Sequence, residues 1–256
     1  MPKDFIISLL DIKIAAAKAN FKLGLIGKKE SSAIIKSSEY LTKNFSQKNF
    51  PIDIFQTGSG TSTNMNVNEV IANTSKNVFK VIIHPNDDVN MSQSSNDVIP
   101  SAINHSAYKN VIIKLIPSLE DLSKQISNKS KKVKNIVKTG RTHLMDAMPV
   151  TFDQELSSWK SQIDNNLISL KSCCKRINKL SIGGTAVGTG INAHSLFAKE
   201  FIKAINKNSK FKYSEKANKF EGLSSQDDMV LLSSHLKAIA VSMIKIANDL
   251  RWMNSG

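Results

Sequence analysis

Apolar residues fall along much of this chain at the spacing of α-helices. Phe152, Leu156, Trp159, Ile163, Leu167, Leu170, Cys174 and Ile177 follow one another at steps of three or four, which keeps their side chains on one helical face. Pro149 and Thr151 precede the run, and Thr151 with Gln154 has the form of a capping box. A helix over Phe152–Ile177 extends roughly 39 Å. A second stripe runs Met229, Leu232, Leu236, Ile239, Met243, Ile246, Leu250 and Met253, with Ser225 and Asp228 placed to cap it. Helices this long and regular predict a bundle.

A third helix is expected from Ala102 to about Ser127, kinked where Pro117 removes a backbone donor. Shorter helical stretches are read over 3–25, 31–44 and 65–79. Polar segments rich in Gly and Asn separate them: Gln56–Thr63, His84–Asp97, Lys138–Asp146 and Gly183–Asn192. Strand signals are few, so the expected fold is all-α, with a small N-terminal helical domain over 1–95 and part of a long-helix bundle over 96–256.

Composition narrows the function. The chain carries 35 Lys and Arg against 21 Asp and Glu, a net charge of +14. Its arginines are Arg141, Arg176 and Arg251 alone, whereas phosphate and base recognition favours the arginine fork. The lysines are spread among Asn, Ser and Ile with few aromatics between them, so nucleic acid is not the expected partner; the basic field instead suits attraction of a small anion. No uninterrupted apolar run approaches a membrane span, and the N-terminal Met-Pro-Lys-Asp-Phe-Ile has no signal-peptide pattern. Cys173 and Cys174 are adjacent, which suits neither a disulfide framework nor a redox motif. A cytoplasmic setting is expected.

The polar segments carry the candidate chemistry. In Gln56–Asn64 the glycines allow close backbone approach, and Ser59, Thr61 and the first amides of the following helix offer donors for a carboxylate. Ser94, Ser95 and Asn96 offer the same in the second segment, and His143 lies among polar groups in the third. Each also has a plainer reading: such clusters serve as turns and N-caps, and a single histidine often only holds structure. Gly183–Asn192 lacks the Gly-Lys-Ser/Thr ending of a P-loop. His84, His143, His194 and His235 show no paired ligand spacing, so neither a metal nor another cofactor is expected.

Taken in order, these segments resemble the fumarase/aspartase superfamily. The matching strings are Thr-Gly-Ser-Gly-Thr-Ser-Thr-Asn-Met-Asn-Val-Asn-Glu-Val, His-Pro-Asn-Asp-Asp-Val-Asn, Gln-Ser-Ser-Asn-Asp, Gly-Arg-Thr-His-Leu-Met-Asp-Ala and Gly-Gly-Thr-Ala-Val-Gly-Thr-Gly, with Lys245–Gly256 agreeing at the end. Within the superfamily, His143 and the His84 that opens Pro-Asn-Asp resemble class II fumarases; an aspartase-type ammonia-lyase typically has glutamine at the position of His143. The resemblance implies hydration of fumarate to L-malate in the tricarboxylic acid cycle. Ser59, Gly60, Thr61, Ser94, Ser95, Asn96 and Thr142 would hold the substrate, and His143 would act as the acid/base group. His84, Pro85, Asn86 and Asp87 match a second dicarboxylate site. That site normally has an arginine shortly before its histidine; in this chain the stretch reads Lys80-Val-Ile-Ile-His84. The resemblance further implies a homotetramer with sites shared between subunits. The family's mobile Gly-Ser-Ser-x-Met-Pro-x-Lys-x-Asn loop has no counterpart before Gly256, so a chain truncated at its C-terminus is expected, and a non-catalytic helical remnant or scaffold is the alternative.

Overall fold

The computed structural model describes residues 1–56, 59–207 and 209–255. In chain order these form α1 (Lys3–Lys22), α2 (Lys28–Lys43), a 3₁₀ turn (Gln47–Asn49), α3 (Thr61–Val78), a π turn (Pro85–Val89) and α4 (Ser95–Asn110). A second π turn (Val111–Leu115) leads to α5 (Ile116–Lys132), β1 (Val137–Thr142), β2 (Met145–Thr151) and α6 (Phe152–Ile177). Then come β3 (Lys179–Leu180), α7 (Phe197–Asn206), β4 (Ser214–Glu215), α8 (Lys219–Ser224) and α9 (Asp227–Met253). The all-α expectation holds in its main terms: helices dominate and the sheets are small.

The chain divides into two compact units, one of Met1–Lys109 with Ile177–Gln226, the other of Asn110–Arg176 with Asp227–Gly256. In the first, α1 is apolar almost all round, burying Ile6, Leu9, Leu10, Ile12 and Ala15–Ala17. That composition marks a central helix, and α1 touches α2, α3 and α7. Each fully buried Leu or Ile contributes about 1.5–3 kcal/mol. Polar side chains share this interior, among them the charged Lys13, 0% exposed.

The helix α6, which belongs to the second unit up to Arg176, occupies the predicted residues, and Leu156, Trp159, Ile163, Leu167, Leu170, Cys174 and Ile177 of its stripe are buried. The Thr151 N–H donates to Gln154 Oε1 at 3.0 Å, the reach-back bond of the predicted cap. Polar bonds fix the neighbours of α6. Ser123 Oγ on α5 donates to Asp164 at 2.6 Å, Trp159 Nε1 donates to Asp249 on α9 at 2.8 Å, and Asn166 Nδ2 donates to Ser242 Oγ at 2.9 Å. Along α9 only part of the stripe is covered. Leu232, Ile239 and Ile246, seven residues apart, are buried, whereas Leu236, Met243, Leu250 and Met253 are exposed. Among the described residues α9 is the one helix long and apolar enough to cross a bilayer. Its regular seven-residue rows, with Lys237, Lys245 and Asp249 along the helix, are the pattern of a bundle helix.

Two expectations change. The kink expected at Pro117 is a π turn just before it, over Val111–Leu115. Proline cannot donate to the Ile113 carbonyl and its ring crowds that oxygen, so the helix widens there. Lys138–Asp146, expected as a loop, is a β-hairpin: Thr142 pairs with Met145, Lys138 with Val150, and the register shifts between Thr139 and Arg141. The β-branched Val137, Thr139, Thr142, Val150 and Thr151 favour strand. The turn has none of the usual Asn-Gly chemistry, because His143 (φ 52°) and Leu144 (φ 61°) themselves take the two left-handed positions.

Candidate active site

Two helix starts in the first unit open onto one cavity of about 660 Å³. Thr61 begins α3, Ser95 and Asn96 begin α4, and all three line it. Unpaired amides and the positive dipole end at such starts favour a bound anion. Ser94, Asn86, Asp87, Thr185 and Asn192 complete much of the wall.

The head of α4 is held by a reciprocal cap. Ser94 Oγ accepts from the Asn96 N–H at 3.2 Å, and Asp97 Oδ1 accepts from the Ser94 N–H at 2.9 Å. The other Asp97 oxygen accepts from the N–H groups of Gly183 (3.0 Å) and Thr185 (2.9 Å). One carboxylate thus clamps the Ser94–Asn96 turn to the glycine-rich segment. Asn96 Nδ2 adds a bond to the Ala186 carbonyl at 2.7 Å. Gly183 has no alternative at this position: its φ is +87°, and a Cβ would stand 2.8 Å from Ala198 Cβ.

Beneath the cavity wall lies a buried polar network. Lys13 Nζ donates to Asn90 Oδ1 at 2.9 Å and Gln93 Oε1 at 3.0 Å. Asn64 Nδ2 donates to Ser95 Oγ at 3.0 Å and to Asn90 Oδ1 at 3.3 Å. Ser92 Oγ donates to Asn20 Oδ1 at 2.9 Å, and Asn20 Nδ2 to the Met91 carbonyl at 2.9 Å. Burial dominates the titration of the two charged members. It lowers the Lys13 pKa to about 7 against the attraction of Asp97. It raises Asp97 to about 6, while the three backbone donors and Lys13 pull the other way.

Of the residues predicted from sequence, Thr61, Ser94, Ser95 and Asn96 line this cavity, as do Asn86 and Asp87. Ser59 sits beside it in sequence and shares a hydrogen bond with Thr61 (Oγ to Oγ1, 2.8 Å). Gly60 takes φ +66° at the α3 N-cap. Thr57 and Gly58 of the same segment lie outside the described residues. His84 caps the Pro85–Val89 turn, its Nδ1 accepting from the Asp87 N–H at 3.1 Å and its own N–H donating to Asp88 at 2.7 Å. Thr142 and His143 belong to the second unit, exposed at the hairpin tip. Lys13, Asn64 and Asp97 were not singled out from sequence. Asp97 was detectable as the end of a Ser-x-x-Asp cap, and Lys13 as a cation in the apolar run of α1. Among the described residues no three His, Cys, Asp or Glu side chains converge as a metal would require.

A sequence profile described as "Lyase" matches residues 1–256. The chain belongs to this lyase family. More narrowly, it is similar to class II fumarate hydratases. It is 48% identical over 256 residues to that of Xylella fastidiosa strain 9a5c, covering 100% of this chain and 54% of the relative. It is 45% identical to that of Wigglesworthia glossinidia brevipalpis, covering 100% and 56%. The crystal structure of class II fumarase from Schistosoma mansoni superposes with a TM-score of 0.94 at 36% identity, covering 100% of this chain and 58% of that one. The chain thus spans about half the length of the curated relatives it matches.

Proposed function

We propose that this chain serves a fumarate hydratase, adding water across the double bond of fumarate to give L-malate in the tricarboxylic acid cycle. The observation that carries the proposal is the meeting of the α3 and α4 N-termini, with Thr61, Ser94, Ser95 and Asn96, on one cavity. Neutral hydroxyls, amides and helix dipoles hold a carboxylate without neutralising it by a full countercharge. They can therefore strengthen their bonds as the carboxylate next to C3 gathers charge in an aci-carboxylate intermediate.

In this reading Ser59, Thr61, Ser94, Ser95, Asn96 and Thr142 bind the two carboxylates. His143 exchanges the proton of the water or hydroxyl at C2, a task suited to imidazole near neutral pH. Its left-handed backbone (φ 52°) at an exposed hairpin tip is a strained conformation of the sort kept at working sites. His84, Pro85, Asn86 and Asp87 form a second dicarboxylate site. The organisation proposed is an N-terminal domain over 1–95, a bundle domain over 96–256, and a cytoplasmic homotetramer with shared sites. The exposed row Leu236, Met243, Leu250 and Met253 on α9 supports self-association, as do the exposed hairpin residues Leu144, Met145 and Met148.

The test compares two histidines. His143→Asn should lower turnover of L-malate by about 100-fold or more, while His84→Asn leaves it within about twofold, since that residue sits outside the reacting group's reach in this scheme. The reverse pattern would assign the chemistry to His84 and overturn the roles of both histidines.

A further inference from the structure

A second cavity in the first unit, of about 400 Å³, shares no lining residue with the first. Asp11 and Lys18 of α1, His105 and Lys109 of α4, and Lys207, Lys210, Phe211 and Tyr213 line it. Its floor is aromatic. The His105 and Tyr213 rings stack at 5.0 Å with 14° between planes, and Tyr108 meets Tyr213 edge-on at 5.3 Å.

Two features of this cavity bear on what it could hold. The first is a pair of orphaned polar atoms. Tyr213 is 4% exposed and His105 3% exposed, yet neither Tyr213 Oη nor His105 Nδ1 has a hydrogen-bond partner. Buried polar groups are nearly always paired, and each exception calls for an explanation. Burial pushes the phenol far up and the imidazole down to about 4, so Tyr213 stays a neutral donor and His105 stays uncharged.

The second feature is the choice of lysines left unneutralised. On the adjoining surface Lys22 and Lys203 both reach Glu200, at 2.6 and 2.7 Å, and together hold its carboxyl down to about 2. Lys109 pairs with Asp11 at 3.0 Å. Among the described residues Lys18, Lys207 and Lys210 have no ion-pair partner, and all three line the cavity. Four lysines thus face one carboxylate across a concave surface, an arrangement that concentrates positive potential.

We propose that this cavity binds a phosphorylated small molecule, its phosphate oxygens met by the ammonium groups of Lys18, Lys207 and Lys210 and by the Tyr213 hydroxyl. A phosphate group brings nearly two charges and three strong acceptors to a single centre, which matches clustered ammoniums and a neutral donor better than two separated carboxylates do. The remaining volume, floored by Phe211 and Tyr213, accepts an apolar or ring-bearing remainder. Compact ammonium charges suffice for such a group without an arginine fork.

Pyrophosphate is the probe, titrated calorimetrically into the chain at fixed ionic strength, with succinate as the dicarboxylate comparator. Saturable one-site binding is expected, weakened about tenfold or more in Lys207→Gln/Lys210→Gln. The control Lys28→Gln/Lys29→Gln removes the same charge from the exposed start of α2 and should change affinity less than about twofold, since neither residue lines the cavity and exposed charges are screened. Tyr213→Phe separates binding from folding. It should weaken pyrophosphate about threefold to tenfold while leaving the ligand-free melting temperature unchanged or higher, because the lost hydroxyl has no partner to leave behind. Absence of saturable binding, equal weakening in both double variants, or succinate binding as tightly as pyrophosphate would overturn the proposal.

Discussion

Replacing Asp97 with alanine removes the group that joins three parts of the first unit. Its carboxylate accepts from Ser94, Gly183 and Thr185, all at 2.9–3.0 Å. Asp97, Gly183 and Thr185 are buried, so water cannot take over the freed amides. Each buried donor left without a partner costs about 1–3 kcal/mol. Asp97→Ala also removes the carboxylate whose attraction opposes the burial penalty on Lys13, which adds to the loss. These contributions overlap, and about 4 kcal/mol is the expected total, a large share of the 5–15 kcal/mol typical of a folded domain. Asp97→Asn keeps one acceptor oxygen and turns an NH2 toward the remaining donors, so about 2 kcal/mol is expected. Equilibrium urea denaturation followed by far-ultraviolet circular dichroism measures both. Tryptophan fluorescence does not serve, because Trp159 and Trp252 both belong to the other unit. An Asp97→Ala loss below about 1 kcal/mol would refute the clamp, since one unpaired buried amide should cost that much.

Other consequences follow from the same structure. Lys13 has a folded-state pKa of about 7 against the ordinary lysine value of 10.5, so above pH 7 the folded chain binds fewer protons than the unfolded chain and gains stability as pH rises toward 10. The urea midpoint of the wild type should therefore climb over that range relative to Lys13→Met; parallel pH profiles would contradict the burial of this lysine. Gly183→Ala forces a side chain into φ +87° against Ala198 and should cost about 2–3 kcal/mol by urea denaturation, whereas a cost near zero would mean the loop is free to shift. Burial raises both cysteine thiols, Cys174 to about 11, so a disulfide reagent should label the native chain about 100-fold more slowly than the urea-unfolded one. Equal rates would place the α6 stripe in solvent.

The long helices were legible because their apolar positions repeat without interruption: α6 begins and ends at the predicted residues, and α9 follows its stripe. The hairpin was hidden because most of its residues are exposed and its turn is built from His143 and Leu144 rather than a recognisable turn pair. Ser94–Asn96 and Thr61 could be read from small polar residues at helix starts, a local signal. Lys13 and Asn64 could not be read that way. Their partners, Asn90 and Gln93 for one and Ser95 for the other, stand far along the chain, and only tertiary packing brings them under the same wall. In the α9 stripe Leu232, Ile239 and Ile246 are buried while Leu236, Met243, Leu250 and Met253 are exposed, which periodicity alone could not distinguish.

The most direct test of the proposed reaction is to incubate the protein with fumarate and ammonium in deuterium oxide and identify the product by proton magnetic resonance. Trans hydration predicts L-malate carrying one deuterium at C3, in a single diastereomer. Aspartate in its place, or a mixture of malate diastereomers, would contradict the assignment.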